Sequence, residues 1–133
     1  ETDLVDDEGR FIRHRRLSAP EKLTWRSFLS GMLVCHQSFY VRTDLARTEP
    51  YNLKYRFSAD YDWCIRLMKK AAKRKLPILN SRLVLTDYLN EGLTTKNHRK
   101  SLVERLRLMA HHYGWPAAVA QHLWFLLRAL IKR

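Results

Sequence analysis

The stretch YRFSADYDWCIRLMKK, Tyr55–Lys70, places Asp60 and Asp62 one residue apart in a chain of net charge +12. Three chemistries fit such a pair: charge at a helix N-terminus, a metal-binding pair, or a general base. Tyr61, Cys64, Ile65, Met68, Ala71 and Ala72 recur at i, i+3, i+4 and i+7, which predicts an amphipathic helix. Ser58 suits its N-cap, and the macrodipole favours negative charge in its first turn. Lys69–Lys75 crowd its other end, again the favoured polarity. Helical residues two apart point about 200° from one another, so the two carboxylates do not readily share one ion. Asp60 then sits at the helix mouth, free to face a cleft, while Asp62 turns elsewhere. A helix N-terminus favours the charged carboxylate, the form that accepts a proton. From these residues alone, helix-start electrostatics and general-base chemistry both stay open.

The histidines and cysteines offer fewer options. His36 and Gln37 lie in the apolar run Met32–Arg42 (MLVCHQSFYVR), which predicts one or two strands. A lone histidine there fits a hydrogen-bonded core residue as well as a ligand. Cys35 and His36 would face opposite sides of a strand and form no nucleophile–base pair. His111 and His112 are adjacent and diverge, and no His or Cys spacing matches a zinc site. The sequence lacks GxxxxGK[ST], GxGxxG and GxSxG, so a P-loop, a dinucleotide fingerprint and a hydrolase elbow are not present. Cys35 and Cys64 both lie in apolar runs, which predicts buried, reduced thiols and a cytosol-facing environment.

Around these residues the chain reads as extended pieces followed by helices. At 133 residues and 46% hydrophobic content it has one domain's worth of core. Glu1–Gly9 is acidic and ends in a turn, and Arg10–Leu17 reads as a short strand. Ser18 and Glu21 have capping-box spacing, with Pro20 in the first turn, which predicts a short helix ending near Gly31. Asp44–Arg47 reads as a helical turn, and Pro77–Leu79 and Leu83–Tyr88 as strands. Tyr88–Thr95 reads as a loop, and Lys96–Tyr113 as a second amphipathic helix. Gly114 and Pro116 separate it from a third, Ala117–Ile131, whose apolar side holds Leu123, Trp124, Leu127, Leu130 and Ile131. The division expected is therefore 1–113 and a C-terminal amphipathic helix over 114–133. That helix is too short in its apolar run to span a bilayer; lying along a membrane surface and packing on its own domain both fit it.

Lys and Arg total 25 against 13 Asp and Glu, which points to an acidic partner. No helix-turn-helix, RNP-type or zinc-finger cue supports nucleic acid as that partner. The chain opens Glu1-Thr2-Asp3 with no secretory-type leader, and we expect a piece of a longer protein.

Three stretches in order, Gly31–Arg42 (GMLVCHQSFYVR), Tyr51–Arg66 (YNLKYRFSADYDWCIR) and Asp87–Thr95 (DYLNEGLTT), resemble the C-terminal half of bacterial family 2 glycosyltransferases. The resemblance spans about residues 5 to 110, and its weight lies in the ordered trio. It implies the α/β GT-A fold, of which this would be the C-terminal, acceptor-side part: a short mixed sheet with helices, of α+β appearance as a fragment, with a helical C-terminus. It implies inverting transfer of a sugar from a nucleotide-diphosphate donor to a glycan or lipid-linked acceptor in polysaccharide biosynthesis. The position of Asp60 is that of the general base in relatives. The residue before it is often acidic there and is Ala59 here, which removes a paired carboxylate but keeps Asp60. His36 and Gln37 would line the cleft, and Glu91, Gly92, Thr94 and Thr95 would close over the diphosphate. Asp62 and Arg66, four residues apart, would belong to the substrate site or hold one another. The divalent metal, Mn²⁺ or Mg²⁺, would be held by the nucleotide-binding half, with no ligand from this chain. The location implied is cytoplasmic, at the inner face of an anionic membrane, where each basic residue contributes on the order of 1 kcal/mol. An edge left by the missing half would promote self-association. The competing expectation is a non-catalytic basic module that binds nucleic acid or anionic lipid.

Overall fold

In the computed structural model, which describes residues 1–89 and 98–131, the chain builds a three-stranded mixed sheet packed beside helices. Thr2–Val5 (β1) and Phe11–His14 (β2) form an antiparallel hairpin. Its turn is tied by Asp6, whose Oδ1 accepts from the Glu8 and Arg10 amides at 3.0 and 2.9 Å. Thr86–Leu89 (β3) joins β1 in parallel, giving the order β2-β1-β3 with Thr2 opposite Thr86 and Leu4 opposite Tyr88. The parallel pair needs a long crossover, and the intervening chain supplies it. That crossover holds 3₁₀ segments at Trp25–Ser30 and His36–Ser38, the short helix α1 (Thr43–Ala46) and the long helix α2 (Ala59–Lys73). Two further helices follow, α3 (His98–Tyr113) and α4 (Trp115–Ile131). The class is mixed α/β.

The main core forms where α2 meets α3 and the Trp25–Ser30 segment. Phe28, Cys64, Ile65, Met68, Leu108 and Met109 are buried there. The i, i+3, i+4 stripe of α2 supplies most of it, though Ala72 faces solvent and Leu67 is buried in a second cluster with Leu45 and Ala71. Tyr61 joins the core ring-first and donates its hydroxyl to the Phe28 carbonyl, so its polar end is satisfied. Between α3 and α4 the chain turns at Gly114, whose φ of +87° is left-handed backbone that glycine adopts without strain. Its amide closes the last turn on Ala110 O at 2.9 Å.

Several elements differ from expectation for identifiable reasons. The helix expected from Ser18 begins instead at Trp25 as a 3₁₀ segment, because Thr24 and Ser27 form the capping box. Met32–Arg42 contains no strand. Its carbonyls at Met32 and Leu33 are taken by the Arg15 guanidinium, at 2.5 and 2.9 Å, so no ladder is needed to satisfy them. Pro77–Leu79 is irregular, and the expected Leu83–Tyr88 strand forms as Thr86–Leu89. β1, in the acidic opening segment, carried too few apolar residues to declare itself. The turn at Asp44–Arg47 and the three long helices lie where the sequence places them, within a residue or two at their ends, while the expected Arg10–Leu17 strand forms only over Phe11–His14.

Candidate active site

Helix α2 begins at Ala59, with Ser58 at the N-cap position. The Ser58 side chain makes no capping bond. Asp60 takes part of that role: its Oδ1 accepts from the Tyr61 amide at 2.8 Å. The approach to the helix is fixed from elsewhere in the fold. Glu104 of α3 accepts the Arg56 and Phe57 amides at 2.8 and 2.7 Å, on one oxygen each. The second Asp60 oxygen faces His36, whose Nδ1 lies 3.1 Å from Oδ2. Asp60 and His36 are brought together from positions 24 residues apart in sequence, and both side chains remain about one-third open, at 32% and 39%.

His36 stands on the 3₁₀ segment His36–Ser38, and that segment is pinned at both ends. Ser38 Oγ lies within hydrogen-bond reach of Thr2 Oγ1 (2.7 Å), Glu1 O (3.1 Å) and Thr86 Oγ1 (3.0 Å), tying it to β1 and β3. Upstream, Arg15 holds the carbonyls of Leu17, Met32 and Leu33. Burial draws the Arg15 guanidinium below its ordinary value; the three carbonyls still give it partners for its N–H groups. The Asp60 carboxylate raises the His36 imidazole above its ordinary 6.5, against the opposing pull of partial burial. The pair is thus a carboxylate beside a histidine biased towards its charged form. Gln37 is exposed, and its Oε1 lies 3.2 Å from the Cys35 thiol that donates to it. Cys35 and Cys64 are both free and buried. Burial pushes the Cys64 thiol up, away from reactivity.

Asp62 turns away from this pair, as helical geometry requires. It is 2% exposed and serves the interior. Arg66 Nε donates to its Oδ2 at 2.7 Å, and His112 Nε2 donates to its Oδ1 at 2.7 Å. The tautomer follows from the other ring nitrogen: the Lys69 ammonium donates to His112 Nδ1 at 3.1 Å, so Nε2 carries the proton. Arg66 also donates to Glu49 Oε2 at 2.6 Å and to the Pro50 carbonyl at 2.7 Å. Lys70 pairs with the other Glu49 oxygen at 2.6 Å. This network locks α2 to α3 and to the chain around Pro50. The Asp62–Arg66 link was readable from i,i+4 spacing. Glu49, Glu104, Arg15 and His112 had no local signal, since the bonds by which each holds the site together span 17 or more residues, Arg15 alone adding a local one to Leu17 O.

Asp60 and His36 therefore come together, Gln37 follows His36 in sequence and bonds Cys35 instead, and Asp62 and Arg66 belong to an internal ion-pair network. Glu91, Gly92, Thr94 and Thr95 lie outside the described residues. The Asp60-Tyr61-Asp62 run does not fit a metal site, because Asp62 is spent on Arg66 and His112 while Asp60 faces a histidine. Among the described residues no group of three or more His, Cys, Asp or Glu is placed to hold an ion. A groove of about 500 Å³ is apolar and lined by Val34, Phe39, Leu67, Met68, Ile78 and Leu85 among others. Ser38 is on its wall, but neither His36 nor Asp60 is, so the pair stands at an open surface next to the groove. Comparison with protein-family models, with curated proteins and with solved structures finds no match to this chain.

The raised imidazole gives a pH prediction. A group whose folded value is raised contributes stability that is complete below its unfolded value and is lost as pH rises through the folded value. The His36–Asp60 contribution is therefore expected in full below about pH 6.5 and is expected to fade above it. Histidine NMR titration is expected to find His36 above its ordinary value, falling back in Asp60→Asn. An unchanged midpoint in that variant would mean that Asp60 is not the cause.

Proposed function

We propose that the chain is the acceptor-side part of an inverting, nucleotide-sugar-dependent glycosyltransferase of the GT-A kind, with Asp60 as the general base. The observation that carries this reading is the Asp60–His36 pair. A partly open carboxylate at the mouth of α2 faces a histidine held by the sheet, on the two segments whose resemblance to the family suggested them. In the proposed reaction Asp60 takes the proton from an acceptor hydroxyl of a glycan or lipid-linked sugar. The freed oxygen pair forms a bond to the anomeric carbon from the face opposite the nucleotide. The bond from that carbon to the diphosphate oxygen breaks, and the nucleoside diphosphate leaves with the electron pair. The configuration inverts. His36 orients the Asp60 carboxylate and, when protonated, balances its charge until the proton arrives. A divalent metal on the diphosphate is the business of the nucleotide-binding half; no residue described here is assigned to it.

The test uses the polypeptide that carries this chain together with its nucleotide-binding half. A panel of nucleotide sugars is incubated with Mn²⁺ or Mg²⁺ and a membrane extract as acceptor. Expected are release of a nucleoside diphosphate from one donor and a product of inverted anomeric configuration by NMR. Release from no donor, with the protein folded, would favour the basic binding module instead.

A further inference from the structure

We propose that α4 is an interfacial helix, its outer half set into the surface of an anionic phospholipid bilayer. Its inner side is short of apolar bulk: Ala118 is fully buried, and Phe125 packs on the core and against Gly31. The large apolar residues point outward instead. Leu123, Leu126 and Leu130 are 61, 59 and 68% exposed, and Trp115, Val119 and Leu127 join them. At about 100° per residue these six fall within one arc of the helix, about 120° wide. Trp124 and Ile131, also exposed, extend the same arc to about half of the circumference. No charged residue lies within it; the helix has no acidic residue at all, and Arg128 sits at the flank, 6.0 Å over the Phe125 ring. The side that the periodicity marked as apolar is thus the side the domain leaves uncovered.

The charge of the molecule decides what covers it. The chain carries +12, and exposed Arg99, Lys100 and Arg107 add positive charge on the neighbouring helix α3. A second copy would bring the same +12 against it and be repelled; a surface that is both apolar beneath and negative on top is attracted on both counts. Trp115 and Trp124 have the amphipathic rings that settle at such a boundary. Among the described residues no helix is long and apolar enough to cross a membrane, so the geometry is lying on it rather than spanning it. The inference is independent of the sugar-transfer reading, since it needs no residue of the Asp60 site.

The test is co-sedimentation of the chain with vesicles of phosphatidylcholine alone and of phosphatidylcholine mixed with phosphatidylglycerol, at low and high salt. Binding is expected to the mixed vesicles, weaker to phosphatidylcholine and weakened by salt. The double variant Leu123→Glu/Leu127→Glu, at exposed positions, is expected to reduce binding at least about tenfold with an unchanged melting curve. Binding that survives the double variant would overturn the proposal in favour of simple charge attraction. Failure to bind either vesicle would overturn it as well. So would a dimer, seen by light scattering, that the same variant dissolves.

Discussion

Asp62→Ala is expected to lower the unfolding free energy by about 3–5 kcal/mol. The magnitude rests on what the substitution leaves behind. Asp62 is 2% exposed and accepts from Arg66 and His112 at once. Without it, the Arg66 guanidinium keeps only Glu49 and the Pro50 carbonyl, and the His112 Nε2–H, on a side chain 4% exposed, has no acceptor. A half-buried cation robbed of one partner and an orphaned buried donor each destabilise. The effect carries a pH signature. Burial alone would raise the Asp62 carboxyl, but the His112 and Arg66 bonds outweigh it and hold the group below its ordinary 3.8. A depressed folded value contributes stability that is present above the unfolded value and is lost as pH falls through the folded one. The wild type is therefore expected to lose this contribution below about pH 3.8, while Asp62→Ala has none to lose. Urea unfolding of both proteins across that range measures it. Equal stabilities at neutral pH would show that the network is worth little.

Asp60→Asn is expected to do the opposite: leave the fold intact and remove the reaction. The asparagine Oδ1 can still accept from the Tyr61 amide, and the side chain is one-third open, so the melting curve should stay within about 1 kcal/mol of wild type. An amide cannot take the acceptor proton. Loss of a positioned general base typically lowers the rate by about 10² to 10⁴, and the fall is expected in kcat. Affinity for the nucleotide should hold, because Asp60 is not assigned to the donor. The comparison would thus separate the two aspartates of one short stretch into the proposed general base and a structural residue.

That separation was only partly legible in the sequence. Helical spacing already sent Asp60 and Asp62 in different directions, and the structure keeps them apart. The i,i+4 step from Asp62 to Arg66 was visible too. Which of the two faced inward was not, because the decisive partner is His112, fifty residues on. The long helices were legible because their periodicity is local. Their burial was less so: on α4 the apolar stripe was clear, yet the domain packs on the other side through Ala118 and Phe125. The Met32–Arg42 segment failed as a strand because Arg15, from the far end of β2, satisfies its carbonyls. No pattern of apolar residues announces a side chain arriving from that distance. The His36–Asp60 contact was likewise expected only from the family resemblance, and residue spacing alone left it open.

The most direct measurement is nucleoside diphosphate release by the polypeptide carrying this chain and the proposed nucleotide-binding half, with wild type, Asp60→Asn and Asp62→Asn compared under saturating donor. Nucleotide binding and thermal unfolding are recorded on the same samples. The account predicts that Asp60→Asn binds nucleotide, melts with wild type and turns over about 10² to 10⁴ times more slowly, while Asp62→Asn melts earlier and, where folded, keeps its turnover. Unchanged turnover in a folded, nucleotide-bound Asp60→Asn would contradict it and leave Asp60 as a helix-start residue.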